Sequence, residues 1–325
     1  MRLGGMLSKL WALPRAVGTL LALVAIYLIF AWLAPETFAT AGTAESIVRQ
    51  STVVGMAALG MTAIIIVGGI DLSVGSVVAL VTVAIAWSFR EWQVAPWQGA
   101  LVGIAAGGIV GLINGTLITS LRMVPFIVTL GMMMAARGAA KGIAENQKID
   151  APRTWLNELL ARIPPDQGWM LIPPGAWLVL LVAVLVALLL HFTRLGKHIF
   201  AVGSNEETAR LCGVRTGRVK VIVFTLGGLA AGLAGVLRFG RLGVGDPSTG
   251  LGLELRVIAA VVIGGGSLAG GEGSVLGTLL GALIMSVIAT GGTHLGWSNW
   301  VQEILTGGII ITAVALDRFR HRRTA

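Results

Sequence analysis

Ten mostly apolar runs dominate this sequence, and they constrain its fold more than anything else in it. The hydrocarbon core of a bilayer is about 30 Å thick, so a helical crossing needs about 20 consecutive apolar residues. The runs lie at roughly 16–35, 46–69, 72–89, 97–121, 123–141, 173–192, 220–239, 255–269, 273–292 and 299–316. The eighth is short and glycine-rich and reads as a re-entrant or broken helix, which lipid tolerates only where protein covers the backbone. The expected fold class is all-α: a polytopic transmembrane bundle of about ten spans, forming one membrane domain over residues 1–325. Composition agrees, with 12% charged residues against about 25% in soluble domains. The 46 glycines suit membrane helices, where small residues let neighbours approach closely.

The net charge of +9 invites a nucleic-acid reading, but no basic stripe is interleaved with stacking aromatics. Positive-inside topology accounts for the same charge. The single cysteine, Cys212, excludes an internal disulfide. The first run, preceded by Arg2, Lys9 and Arg15, reads as a retained helix without a clear cleavage site.

With the N-terminus in the cytoplasm, alternation puts several basic groups on the inner side. These are the N-terminal tail, Arg122, a loop carrying Arg194, Lys197, Arg210, Arg215, Arg218 and Lys220, and a tail with Arg318, Arg320, Arg322 and Arg323. Trp32, Trp87, Trp92, Trp97, Trp169, Trp177, Trp297 and Trp300 then fall near the outer interface, where indoles settle. Trp155 lies in an outer loop, and Trp11 alone is inner. Residues 142–172 form an external loop in which Pro152 to Ile163 shows helical spacing, as a short helix lying on the outer surface. Residues 193–220 form a cytoplasmic loop that is polar and mixed in charge. The expected location is a bacterial cytoplasmic (inner) membrane, with both termini inside.

Gly99, Gly103, Gly107, Gly111 and Gly115 recur every four residues and make one smooth helical face. That face places the fourth helix inside a bundle, away from lipid. Gly273, Gly277 and Gly281 repeat the pattern on a smaller scale. Asp71 sits in Gly68-Gly69-Ile70-Asp71-Leu72-Ser73-Val74-Gly75, between two apolar runs. A carboxylate there needs a partner or a wet cavity, and it is placed to cap the following helix. Residues 263–274 loosely echo this break, and paired glycine-interrupted segments point to a transport site. Signatures for nucleotide, metal and hydrolase chemistry are missing, so no catalytic, metal or cofactor-binding residue is assigned and no cofactor is expected.

Four ordered blocks resemble the ribose/xylose/arabinose-type ABC transporter permeases. They are Gly60-Met61-Thr62 with Gly68 to Ser76, Val124-Pro125-Phe126-Ile127-Val128-Thr129-Leu130-Gly131, Ala201 to Val214, and Ala259 to Gly265 with Gly273 to Thr278. The resemblance implies an ATP-driven importer of a monosaccharide or similar small polar solute. It implies as partners a second permease subunit, cytoplasmic ABC ATPase subunits and an external solute-binding protein, in a lipid bilayer and without nucleic acid. A short cytoplasmic helix that docks on the ATPase matches Asn205, Glu206, Glu207, Ala209, Arg210, Leu211 and Gly213. Asn205 or Ser204 is its cap, Gly213 its stop, and Ala209 is small enough for a partner surface to come close. The residues assigned to the translocation path are Asp71, Ser73, Asn114, Pro125 and Thr129. Arg256 stands where the family carries an acid, and Cys212 where it carries Ser. The competing reading is an ion-coupled secondary transporter, for which Asp71 is the one carboxylate deep enough; a channel and a membrane enzyme follow.

Overall fold

The computed structural model describes residues 4–164 and 170–322, with side chains for 16–164 and 170–315. Arg2, Pro165, Trp169 and Arg323 lie outside the described residues, as do the side chains of Lys9, Trp11, Arg15, Arg318, Arg320 and Arg322. The elements in order are α1 (Gly4–Leu33), α2 (Ala41–Ile66), α3 (Val74–Glu91), α4 (Pro96–Ser120), α5 (Pro125–Ile143), β1 (Ile149–Asp150), α6 (Trp155–Glu158), α7 (Pro174–Phe192), α8 (Arg194–Ser204), α9 (Glu206–Leu211), α10 (Thr216–Leu242), β2 (Val244–Gly245), α11 (Leu253–Ile263), α12 (Val275–His294) and α13 (Asn299–Arg322). Among the described residues, eight helices are long and apolar enough to cross a membrane: α1 from Ala16, α2, α3, α4, α5, α7, α10 and α12.

Local chemistry explains where several helices start. Thr40 caps α2 by accepting from the Thr43 N–H, and Ser274 caps α12 by accepting from the Gly277 N–H. Pro96, Pro125 and Pro174 open α4, α5 and α7, where a missing N–H leaves no bond unmade. From Thr52 onward helix α2 carries no charged residue, and it is buried without interruption to Ile66, as befits a central helix. Helix α7 instead turns Leu181, Val184, Leu185 and Leu188 outward. That surface fits hydrocarbon and would be a liability in water.

The glycine face of α4 splits between two neighbours. A Cβ on Gly107, Gly111 or Gly115 would meet α10 backbone, while one on Gly99 or Gly103 would meet Phe89, Ile85 and Val81 of α3. The expectation that α4 avoids lipid needs correction, because its far face leaves Leu101, Ile109, Leu112 and Ile113 exposed. Close approach needs small residues on one side only.

Two further expectations change. Helix α6 is a four-residue turn, and it does not lie on the membrane surface. Leu156 and Leu160 are fully buried, and Asn157 donates to the Gly240 carbonyl at 3.2 Å, so the loop is plugged into the end of α10. The segment expected as a loop over 193–220 is largely helical. Ile199 and Val202 of α8 are buried while Arg194, Lys197 and His198 are exposed, an amphipathic spacing that seats the helix on the bundle.

Long-range contacts sort the loops to two ends. At one end β1 pairs antiparallel with β2, Lys148 lies 3.5 Å from Asp246, Arg49 donates to the Leu160 carbonyl, and Phe38 meets His294 edge-on. At the other end Thr19 donates to the Ile263 carbonyl, Lys220 pairs with Glu206 at 2.6 Å, and α8 reaches the end of α2. The partition is the one that alternating spans require.

The eighth apolar run does not form one continuous helix. Helix α11 stops at Ile263, so residues 264–269 form a turn and do not extend the span. Its 11 residues rise only about 16 Å, half of a bilayer core. The segment after α10 doubles back along the bundle. It descends beside α3: Asp246 N–H donates to Thr82 Oγ1 at 3.2 Å, and Gly250 lies against the backbone of Gly75. From Thr82 to Gly75 the depth along α3 is about 10 Å.

Candidate functional site

The segment expected to dock a partner folds as expected in its local chemistry. Asn205 Oδ1 accepts from the Thr208 N–H at 2.8 Å, making Asn205 the N-cap of α9. Gly213 has φ of +84°, and the Val214 N–H returns to the Ala209 carbonyl at 3.0 Å, a left-handed stop that glycine adopts without strain. Glu206 and Glu207 lie in the first turn and Arg210 in the last, each suiting the helix dipole. Asn205, Glu206, Glu207 and Arg210 are exposed, and Leu211 is 81% exposed. Ala209 is the exception. It is buried in the chain's own core, so its small size serves the seat of α9 on the bundle, not contact with a partner.

The path residues also converge, but in a sealed form. Asp71 Oδ1 accepts from the Ser73 N–H at 2.7 Å and from Ser73 Oγ at 2.5 Å. Ser73 Oγ accepts in turn from Asn114 Nδ2 at 3.1 Å, and Thr129 Oγ1 donates to the Ile70 carbonyl at 3.1 Å. Asp71, Ser73, Asn114 and Thr129 are all buried, while Pro125 stands half-buried at the start of α5. The capping expectation is corrected here. Ser73 is the N-cap of α3 and makes no side-chain cap bond, and Asp71 closes an Asx turn before it. Asn114 Oδ1 has no hydrogen-bond partner among the described residues. A buried orphan acceptor costs about 1–3 kcal/mol, so this conformation leaves the network incompletely satisfied.

The two glycine breaks, which only loosely resemble one another in sequence, meet at the end of α8. The Gly271 N–H donates to the Ile66 carbonyl at 2.8 Å. A Cβ on Gly203 would collide with that same carbonyl, and one on Gly270 would lie 2.6 Å from the Gly203 carbonyl oxygen and 3.1 Å from Gly68 Cα. The last turn of α8 is therefore wedged between both breaks, and the next residues after Ser204 are the cap and first turn of α9.

A second charged group went unnoticed as a site. Arg137 of α5, Arg238 of α10, and Glu254 and Arg256 of α11 surround the limb from Val244 to Gly252. Arg137 Nη1 donates to the Pro247 carbonyl at 2.8 Å and the Thr249 carbonyl at 2.6 Å. Arg238 Nε donates to Thr249 Oγ1 at 2.8 Å. The signal for the three arginines was their charge inside apolar runs.

The family described as the branched-chain amino acid transport system / permease component matches residues 43–314. The chain is 36% identical to the ribose import permease protein RbsC of Escherichia coli strain K12, over 95% of each chain. It is 36% identical to the D-allose transport system permease protein AlsC of the same organism, over 93% of this chain and 91% of that one. It is 34% identical to the fructose import permease protein FrcC of Rhizobium meliloti, over 96% of this chain and 87% of that one. No solved structure matches.

Proposed function

The chain belongs to the branched-chain amino acid transport system / permease component family, and we propose that it moves a monosaccharide through the membrane by alternating access. It is a membrane-spanning permease subunit of the sugar ABC importer kind, and not an enzyme. Ribose, allose and fructose are the solutes in the names of its relatives. Its partners are a second permease, two cytoplasmic ATPase subunits and an external solute-binding protein. The end that carries α8 and α9 faces the cytoplasm with both termini, as the Lys and Arg of the loops require.

One observation carries the mechanism: the wedge of α8 between the two glycine breaks, directly before α9. ATP energy reaches a chain without a nucleotide site only through a protein contact. Shifting a two-state equilibrium from 1:99 to 99:1 takes about 5.5 kcal/mol of differential contact. One exposed ion pair supplies at most about 1 kcal/mol, so the docking contact needs an apolar anchor, and Leu211 on α9 offers one. Motion of α9 then reaches Gly203, and through it the Ile66 carbonyl and the 264–273 turn, without crossing flexible chain.

The test is uptake of radiolabelled D-ribose, D-allose or D-fructose into vesicles holding the assembled transporter. Accumulation of one of them should depend on ATP and on a hydrolysis-competent ATPase subunit. Accumulation that persists on a proton or sodium gradient without ATP would overturn the reading in favour of an ion-coupled carrier.

A further inference from the structure

The limb from Val244 to Gly252 carries more polar chemistry around it than its own fold consumes. Arginine has five N–H donors. Among the described residues, Arg137 bonds through Nη1 alone and Arg238 through Nε alone. Arg256 has only a 3.5 Å approach from Nη2 to the Leu251 carbonyl, too long to count for much. No salt bridge ties Arg137, Arg238 or Arg256 to an acid among the described residues. Asp246 is engaged by Lys148 and by the Ser248 N–H at 2.8 Å. Glu254, half-buried at the start of α11, lies where a side chain on Gly75 would have to go.

The limb runs beside the middle and the start of α3, a helix long and apolar enough to cross a membrane. A single charge at the centre of a spanning helix costs about 2.5–3.5 kcal/mol on insertion scales. Non-helical backbone at that depth persists only where protein buries it or where it lines a wet cavity. Protein covers part of this limb, since Gly245, Pro247 and Thr249 are buried, but Ser248 and Leu251 are exposed. A purely structural plug would account for Arg137 and Arg238 as clamps on the limb. It would account for Glu254 as a counter-charge facing Arg137 and Arg256, with Glu303 also facing Arg256, and would leave the spare guanidinium donors without hydrogen-bond acceptors.

We propose that the limb from Asp246 to Leu251, with Arg137, Arg238, Glu254 and Arg256, is the solute-contacting wall of the translocation path, built for a neutral polyhydroxylated passenger. This rests on the reading of the chain as a sugar permease subunit. A sugar presents a rim of hydroxyls that both donate and accept, and apolar C–H faces between them. The spare guanidinium N–H groups and the Glu254 carboxylate meet the rim. Leu251 and Leu255, both exposed, meet the faces. Arg137 and Arg238 also position the limb, holding it through its carbonyls and the Thr249 hydroxyl, while Arg256 and Glu254 serve the passenger alone.

The test uses the full chain, assembled with its partners, in a Cys212→Ser background that removes the one native thiol. Single cysteines are placed by Ser248→Cys, Leu251→Cys and, as a reference on the apolar outer face of α7, Leu181→Cys. The probe is a membrane-impermeant sulfonated methanethiosulfonate, with uptake of D-ribose, D-allose or D-fructose as the second readout. Positions 248 and 251 should react at least about tenfold faster than position 181, because a thiolate forms in water and not in hydrocarbon. Once they have reacted, uptake should fall at least about tenfold. Slow labelling at both positions alongside normal uptake overturns this proposal and leaves the permease reading intact. Fast labelling with unchanged uptake also overturns it, by showing water there but no passage. If the unsubstituted transporter carries none of the three sugars, it is the sugar reading that fails. The labelling rates then stand alone, with a tenfold excess supporting a wet wall and no excess overturning it.

Discussion

The Gly271 N–H donates to the carbonyl of Ile66 at 2.8 Å, joining the loop before α12 to the last turn of α2. Gly203 packs on the same carbonyl, so three segments far apart in sequence share one backbone oxygen, and the shared atom adjoins the proposed docking helix.

Gly203→Val should therefore uncouple the transporter. No Cβ fits there without moving α8 off Ile66, a displacement of the kind that costs about 1–3 kcal/mol in packed interiors. The expected outcome is ATP hydrolysis that solute-loaded binding protein no longer stimulates, with the subunits still co-purifying. Normal stimulated hydrolysis would show that the joint carries no signal.

Docking through α9 predicts a second loss. Glu207→Lys combined with Leu211→Asp removes an exposed acid and the exposed apolar anchor. Solute-stimulated ATP hydrolysis should vanish while insertion of the chain is unchanged, as measured in reconstituted complexes. Ala209→Leu should behave differently. Because Ala209 is buried in its own chain, this change should lower the melting temperature of the isolated permease in detergent.

The Asp71 network predicts a stability cost separable from coupling. Asp71→Leu leaves the Ser73 N–H without its acceptor in a dry environment, a loss of about 1–3 kcal/mol. The melting temperature should fall and uptake should drop even where inserted protein is matched. Near-normal stability and uptake together would remove the network from the mechanism.

The α4–α10 seam predicts intolerance of bulk. A Cβ on Gly228 would lie 2.8 Å from Gly111 Cα and collide with the Gly107 carbonyl. Gly228→Leu should destabilise by about 1–3 kcal/mol, read as a lower thermal midpoint. Gly131→Leu, at a site with open space around it, should be neutral.

Orientation has a direct measurement. The native Cys212 is exposed at the end carrying α9, and Arg153 is exposed at the opposite end. An impermeant thiol reagent should reach Cys212 only from the cytoplasmic side. In a Cys212→Ser background it should reach Arg153→Cys only from outside. The reverse pattern would invert the topology.

What the sequence determined by itself is local or cumulative. Apolar runs of bilayer length specify helices because lipid offers no alternative partner for the backbone. The distribution of Lys and Arg assigns loops to two ends, and the contacts at those ends keep that division. A cap at Ser204 or Asn205 and the stop at Gly213 were legible because each acts within four residues of itself, and the structure selects Asn205. The tertiary structure decided the rest, because it depends on groups brought together from distant positions. Helix α9 has six residues, too few turns for periodicity to say which face Ala209 takes. The limb from Val244 to Gly252 is non-helical and has no period to read; its depth became visible only once Thr82 and Gly75 lay beside it and Arg137, 110 residues away from Pro247, reached its carbonyls. The glycine breaks were plain as breaks. That they close on one carbonyl beside Gly203 follows from packing, since glycine marks where backbones can approach and not which backbone arrives.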